Sequence, residues 1–233
     1  MRIRAVKRDI SVQKTENASG ISRGMAVVTT LEILVVFAGI LLYIWRWQRT
    51  TPSAWAALWA VILVSHVFHH DRLSGLGLAR HNFRASAQYV IPPAILLCVP
   101  MLFYGFDDHR LVLLTPTWRA LTTLVGYGSW CLFQQYITQS FFNNRLMLVI
   151  RNRHLSSLLV GIMFSATHIP NIILMVATLV AGWIFAEVFA SHRNIWPMAL
   201  VQAVGGLLLA AVSPAALMHH MRVGPGYFFY GIR

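Results

Sequence analysis

Residues 25–47 read MAVVTTLEILVVFAGILLYIWRW, and this run decides the fold class. Glu32 and Arg46 are its only charged residues. About twenty apolar residues are enough to cross the hydrocarbon core of a bilayer as an α-helix. Trp45 and Trp47 lie at the end of the run, and tryptophans collect at membrane–water interfaces. The run therefore predicts a transmembrane helix.

Further apolar segments follow the first one along the chain. They lie near 53–70, 86–106, 119–142, 155–169, 171–190 and 195–212. The segment at 155–169 is short, and Pro170 separates it from the next, because a proline ends or kinks a helix near the preceding residue. We expect an all-α, polytopic transmembrane helical bundle of about seven spans, or of eight helices if one lies on the surface. In an alternative arrangement, 155–190 form one broken helix.

The composition excludes a soluble or a disordered chain. Hydrophobic residues make up 57% of the 233 residues and charged residues only 11%. Soluble domains carry about 25% charged residues, and disorder requires low hydrophobicity. The two cysteines, Cys98 and Cys131, lie inside apolar segments, so the pattern indicates neither a disulfide framework nor a zinc cluster.

The net charge of +12 comes from basic residues that flank the apolar segments. With the N-terminus inside, thirteen Lys and Arg fall on cytosolic segments and six on outer ones, as the positive-inside rule requires. We therefore expect a multi-pass integral membrane protein of a bacterial-type inner or plasma membrane, with a cytosolic N-terminus and no nucleic-acid partner. The predicted organisation is a basic cytosolic tail at 1–23, a transmembrane bundle at 24–212 and a C-terminal tail at 213–233.

Polar residues stand at membrane depth in three places, where they are costly unless they face the bundle interior or a cavity. Gln134, Gln135, Thr138 and Gln139 lie on the fourth segment, His168 ends the fifth, and Gln202 precedes Gly205 and Gly206 on the seventh. They predict a wet cavity in which Gln134, Gln135, His168 and Gln202 converge. The alternative is structural, because polar side chains also join helices and glycines allow close packing.

These three places resemble, in order and rough spacing, the CAAX-protease and bacteriocin-processing (CPBP) family of intramembrane endopeptidases. That family carries Glu-Glu-x-x-x-Arg on one helix, Phe-x-x-x-His on the next, and later His-x-x-x-Asn or a close variant. Here the first motif falls on Gln134, Gln135 and Gln139, the second on Phe164 and His168, and the third on Gln202 and Gly206. The resemblance covers about 72–212, including the turn-like stretches 76–84 and 191–197. It implies a CPBP-like core and an endopeptidase activity within the membrane.

The departures from the family pattern bear on the chemistry. In the family, glutamates and histidines are thought to activate water, and a carboxylate can be tuned to accept a proton near neutral pH. A glutamine amide only donates and accepts hydrogen bonds. Of the hallmark positions only His168 keeps a group that titrates near neutrality.

We therefore predict a CPBP-like intramembrane endopeptidase with a degenerate active site. His168 would be the base or oxyanion group, and the glutamines would position water or substrate: Gln134, Gln135, Gln139 and Gln202. The alternative is a non-catalytic protein that binds a membrane peptide or lipid. The expected partners are the lipid bilayer and a membrane-embedded peptide or protein substrate. The cofactor stays unassigned, and a zinc site lacks obvious second and third ligands beside His168.

Two further features have alternative interpretations. The spacing of His66, His69, His70 and Asp71 puts imidazoles on one helical face and resembles one histidine box of an iron-dependent membrane oxidase. Its other interpretation is an interfacial cluster at a helix end.

Glu187 is the acid inside the later spans. It either approaches the glutamines, or snorkels toward headgroups or pairs with Arg193.

Overall fold

The structure is a computed structural model that describes residues 21–107, 118–214 and 218–229. Within these ranges the regular elements are helices, and there is no strand. The helices are α1 (Arg23–Leu42), α2 (Ala54–Phe68), α3 (Phe83–Asp107), α4 (Trp118–Gln135), α5 (Asn144–Val149), α6 (Arg153–Ala166), α7 (Ile172–His192), α8 (Trp196–Val212) and α9 (Pro225–Phe228). The chain continues from α1 through a π-helical turn, Tyr43–Trp47, to Thr50. A longer π-helical segment, Tyr136–Asn143, joins α4 to α5.

The outer surface of this bundle is apolar, unlike the surface of a soluble protein. Large apolar side chains such as Leu96, Phe103, Phe106 and Ile172 are more than 70% exposed. Three helices of the described part are long and apolar enough to cross a membrane: Arg23–Thr50, Phe83–Phe106 and Ile172–His192. Ala54–Phe68 and Trp196–Val212 are shorter apolar helices. The chain is therefore an all-helical membrane bundle, as the sequence predicts.

The predicted apolar segments coincide with helices, with two refinements. The fourth runs beyond its predicted end through the π-helical segment and α5 to Val149. The fifth and sixth are separate helices, so the broken-helix alternative is wrong. The number of spans, the cytosolic N-terminus and the division into tail, bundle and tail stay predictions. Residues 1–20, 215–217 and 230–233, which hold most of the N-terminal tail and part of the C-terminal one, lie outside the described residues.

Asparagine caps explain where α6 and α7 begin. The side chain of Asn152 accepts a hydrogen bond from the backbone N–H of Leu155. Asn171 does the same for Leu174, so each cap satisfies one of the free N–H groups of a first helical turn. Arg193 ends α7 in the left-handed conformation, with φ of 44°.

The α6 and α7 helices fold back on each other as an antiparallel hairpin that two glycines hold close. A Cβ atom on Gly161 would lie 2.8 Å from the carbonyl oxygen of Leu179 and 3.0 Å from the backbone nitrogen of Trp183. On the opposite helix, a Cβ on Gly182 would lie 3.1 Å from the Cα of Gly161. Small residues at such a crossing allow backbones to approach closely in a membrane.

We expect Gly161→Ala to destabilise the protein by about 1–3 kcal/mol, because the added methyl group meets backbone atoms that move only if the two helices separate. The measurement is the free energy of unfolding in lipid–detergent micelles. Gly126→Ala on α4 is the matched control, since a Cβ there meets nothing within 4 Å. Equal stability of the two variants would contradict the close crossing.

The π-helical segment lies in the middle of the packed interior. Phe141 and Phe142 pack with Ile33 and Val36 of α1 and with Ile62 of α2. On its other side, Val90, Phe185, Phe189, Ile195 and Met198 of α3, α7 and α8 form a second apolar cluster, against which Tyr136 packs. Residues Thr138–Asn143 are all buried. A π-helical turn widens the helix and is frequent at functional sites.

Candidate functional site

Five amide side chains form one continuous hydrogen-bonded chain inside the bundle. Asn143 Nδ2 donates to Gln139 Oε1 at 3.0 Å, and Gln139 Nε2 donates to Gln135 Oε1 at 3.2 Å. Gln135 Nε2 donates to Gln202 Oε1 at 2.6 Å. Gln202 Nε2 donates in turn to Gln134 Oε1 at 2.6 Å. We call these five side chains the amide chain.

The spacing of the residues explains how the amide chain forms. Gln135, Gln139 and Asn143 are four residues apart and therefore lie one above another on a helical face. Each amide has both a donor and an acceptor, so Gln139, Gln135 and Gln202 each accept from one neighbour and donate to the next, whereas Asn143 only donates and Gln134 only accepts. Gln135 and Gln139 are 0% exposed. The amide chain joins α4 and the π-helical segment to α8 through Gln202.

The far end of the amide chain is fixed to α7. Asn143 Nδ2 also donates to the backbone oxygen of Ala186 at 3.0 Å. Its Oδ1 atom is buried with no hydrogen-bond partner among the described residues. The amide chain is thus anchored on a backbone carbonyl of one helix and ends on the side chain of Gln134.

The near end of the amide chain opens on a large cavity between the helices. The cavity has a volume of about 1020 Å³ and is lined mainly by aliphatic and aromatic side chains of α1–α4 and α6–α8. Its polar lining includes Gln134, Thr138, Gln202, Tyr127 and His168. None of the described residues that line it is Asp, Glu, Lys or Arg. Gln135 and Gln139 do not line it and lie behind its wall.

His168 shares the cavity but not the hydrogen bonds of the amide chain. It lies in the turn after α6, where Nδ1 is 2.8 Å from the backbone oxygen of Phe164. Since a carbonyl only accepts, Nδ1 carries the hydrogen, and in the neutral ring the lone pair is on Nε2. The His168 ring also packs edge-on against Phe164, with 5.1 Å between centroids. The structure joins the four predicted glutamines by hydrogen bonds and places Gln134, Gln202 and His168 on the cavity. The predicted convergence of Gln135 on the cavity is wrong, because Gln135 lies behind its wall, and the roles of these residues stay predictions.

Tyr127 is a cavity residue that sequence reasoning missed. A Cβ atom on Gly206 would overlap the Tyr127 hydroxyl and would lie 3.0 Å from the ring carbon that carries it. Tyr127 therefore fills the space of the side chain that position 206 lacks. The available signal was the glycine itself, because an omitted side chain in a packed bundle must be replaced by a neighbour.

Two histidines of the 66–70 motif, His66 and His69, belong to a second polar cluster, which surrounds the buried Arg145. Arg145 is 0% exposed and donates from Nη2 to Asp71 Oδ2 at 2.6 Å and from Nε to Ser65 Oγ at 3.0 Å. His66 Nδ1 is 2.7 Å from the same Asp71 oxygen. His69 Nε2 is 2.9 Å from Glu32 Oε2. We call six residues the arginine cluster: Ser65 and His66 of α2, His69 just after α2, Glu32, Asp71 and Arg145.

The contacts of the arginine cluster agree neither with a metal-binding histidine box nor with an interfacial histidine cluster. His66 and His69 point at carboxylates, so an interfacial cluster facing headgroups is wrong for them, whereas His70 is exposed. In the described part of the chain, no group of three or more His, Cys, Asp or Glu residues is arranged to hold a metal ion. Burial raises the pKa of Asp71, but hydrogen bonds and charge from His66 and Arg145 outweigh it and hold that pKa below its usual range.

The carboxylate of Glu187 pairs with residues other than the one that the sequence predicts. Its carboxylate lies 3.0 Å from Arg153 Nε and 2.9 Å from His154 Nδ1. The hairpin brings the beginning of α6 beside Glu187 on α7, so both the approach to the glutamines and the pairing with Arg193 are wrong. Arg193 instead donates to Asn144 Oδ1 at 2.5 Å and to the backbone oxygen of Gly75 at 3.3 Å.

One comparison with known proteins gives a match. The family model described as "Type II CAAX prenyl endopeptidase Rce1-like" matches residues 114–208. No curated protein and no solved structure matches this sequence. The matched range includes Tyr127, His168 and all the glutamines of the amide chain, and it excludes most of the arginine cluster.

Proposed function

We propose that this membrane protein, whose residues 114–208 match the Type II CAAX prenyl endopeptidase Rce1-like family model, binds a membrane-embedded peptide or lipid without hydrolysing it. The cavity supplies the binding site. Its volume of about 1020 Å³ lies at the upper end of the usual range for ligand sites, which are mainly apolar with a few polar groups that orient the ligand.

The amide chain is the observation that carries this proposal. Hydrolysis of a peptide bond needs a group that removes a proton from water, and its pKa must lie near the working pH. An amide has no such group. Gln135 and Gln139 each donate to one neighbouring amide and accept from another, at 2.6–3.2 Å. Where the family it resembles has carboxylates, this chain has a hydrogen-bonded chain of neutral amides.

Hydrolysis with His168 as the base is a second candidate, and the hydrogen bond of its Nδ1 favours it. A carbonyl that holds Nδ1–H leaves the Nε2 lone pair to accept a proton. In that mechanism Gln134 and Gln202, which line the same cavity, would position water or substrate. The orienting partner of the imidazole is then a backbone carbonyl in place of a carboxylate.

The termini of membrane proteins distinguish the two candidates. Membranes of the native host would be compared with the wild type, with His168→Ala, and without the protein, after checking that both forms insert equally. We expect the same set of termini in all three samples, because binding alone cuts no peptide bond. New termini that appear with the wild type and disappear with His168→Ala would overturn binding without cleavage in favour of hydrolysis.

A further inference from the structure

The charge-free lining of the cavity identifies the kind of molecule that fits it. The described lining contains no Asp, Glu, Lys or Arg, and its polar groups are amides, hydroxyls, indole N–H groups, one thiol and one imidazole. Moving a charged headgroup from water into such a site, without a counter-charge, costs far more than moving an uncharged group that finds a hydrogen bond. The lining therefore disfavours carboxylates and phosphates as bound groups.

The distribution of the polar groups disfavours an extended peptide. Each residue of a peptide brings one N–H and one C=O that need partners where water is absent. Gln134 and Gln202 already bond to each other at 2.6 Å, and Thr138 Oγ1 donates to the backbone oxygen of Gln134 at 2.9 Å. Most of the remaining wall is aliphatic or aromatic. An alkyl chain makes no such demand on the wall.

We infer that the cavity binds an uncharged membrane lipid of the diacylglycerol class, with its hydroxyl and ester groups at the wall formed by Gln134, Gln202 and Tyr127. The acyl chains lie among the apolar side chains of the other helices. This inference rests on the proposed function, since it names the ligand class of the same cavity.

The protein carries its own reporter for this test. Cys98 lines the cavity and is half-buried, whereas Cys131 is buried. In the Cys131→Ala variant, Cys98 is the single cysteine of the chain. A lipid in the cavity shields the Cys98 thiol, so the rate at which N-ethylmaleimide alkylates it measures occupancy.

The experiment compares three probes on the purified full chain in detergent micelles. They are a diacylglycerol, the phosphatidic acid with the same acyl chains, and a prenylated peptide. At ten times its dissociation constant, a ligand leaves about one site in eleven free, so we expect diacylglycerol to slow alkylation about tenfold. We expect phosphatidic acid and the prenylated peptide to leave the rate within about twofold of the lipid-free value, because neither is bound at that concentration.

A blocked cavity is the matched control. Gly205 lines the cavity, and a Cβ on it meets only Cys98 Sγ, at 3.9 Å. Gly205→Phe should therefore place a ring in the cavity beside Cys98 and abolish the effect of diacylglycerol, measured against the lipid-free alkylation rate of the same variant. Gly126→Phe, at an exposed glycine outside the lining, should keep it. Loss of the effect in both variants would overturn binding at this cavity.

The outcomes separate the inference from the proposed function. Equal protection by phosphatidic acid would overturn the selection for uncharged lipids and leave binding in the cavity intact. Protection by the prenylated peptide alone would overturn the lipid assignment and support the peptide form of the proposed function. No protection by any probe would overturn both.

Discussion

Arg145→Met is expected to lower the free energy of unfolding by about 3–5 kcal/mol, because it leaves two largely buried carboxylates, Asp71 and Glu32, without their cation. Arg145 is 0% exposed and lies 2.6 Å from Asp71 and 3.6 Å from Glu32. Reversible unfolding in mixed micelles measures the loss. Arg151→Met is the matched control, since Arg151 is exposed, and it should change stability by less than about 0.5 kcal/mol.

A double-mutant cycle tests whether the loss comes from this ion pair. In the Asp71→Asn background, Arg145→Met should cost less than in the wild type, by about 0.5–3 kcal/mol, since the charge it would strand is already gone. Additive costs would show that the loss comes from the other contacts of Arg145, such as Glu32, Ser65 or the Phe141 ring, and not from its pair with Asp71.

The pH dependence of the wild type gives an independent check on the same pair. The pKa of Asp71 is lowered in the folded protein, because hydrogen bonds and charge from its partners exceed the opposing effect of burial. Its stabilising contribution is therefore present above the unfolded pKa of about 3.9 and is lost as the pH falls through the lower folded value. The Asp71→Asn variant should lack this acid-dependent loss.

Gln135→Glu is expected to make stability strongly dependent on pH. A protonated carboxyl group replaces the amide without rearrangement, because its O–H can donate to Gln202 Oε1 while its carbonyl accepts from Gln139. A carboxylate would face Gln202 Oε1 at about the present 2.6 Å, and position 135 is 0% exposed. Keeping this group protonated at pH 7, against an ordinary titration near pH 4.3, costs about 4 kcal/mol.

The measurement is the free energy of unfolding between pH 4 and pH 8. The variant should match the wild type near pH 4 and lose stability as the pH rises, since the unfolded chain releases the proton that the folded chain retains. Gln48→Glu, at an exposed glutamine near the end of α1, should show no such slope. A flat profile for Gln135→Glu would mean that the amide chain tolerates a buried charge.

The sequence predicts the helices of this bundle and only part of its site. Length and apolarity define each helix, so the segments appear at nearly the predicted positions. The shared face of Gln135 and Gln139 also follows from their spacing. Contact of both with Gln202 does not follow from spacing, because it depends on which helices are neighbours, and here the family resemblance supplied the expectation.

The features that the sequence does not predict arise from packing between distant segments. Arg145 contacts Asp71 across 74 positions of the chain, so the sequence around either residue does not indicate the other. Glu32 carries a partial signal, because an acid inside an apolar span needs a partner. The π-helical segment and the position of Tyr127 depend on the volume left by neighbouring helices, and no local pattern encodes it.

The amide chain also has a direction, and a backbone atom sets it. The carbonyl of Ala186 can only accept, so the amide of Asn143 must present its nitrogen there. Each following side chain then has one allowed orientation, up to Gln134, whose oxygen is taken by Gln202. What remains for the cavity is the Gln134 nitrogen, a donor. A carbonyl on α7 thus fixes, through five side chains, the orientation in which Gln134 presents its nitrogen as a donor to a ligand acceptor, such as a lipid ester.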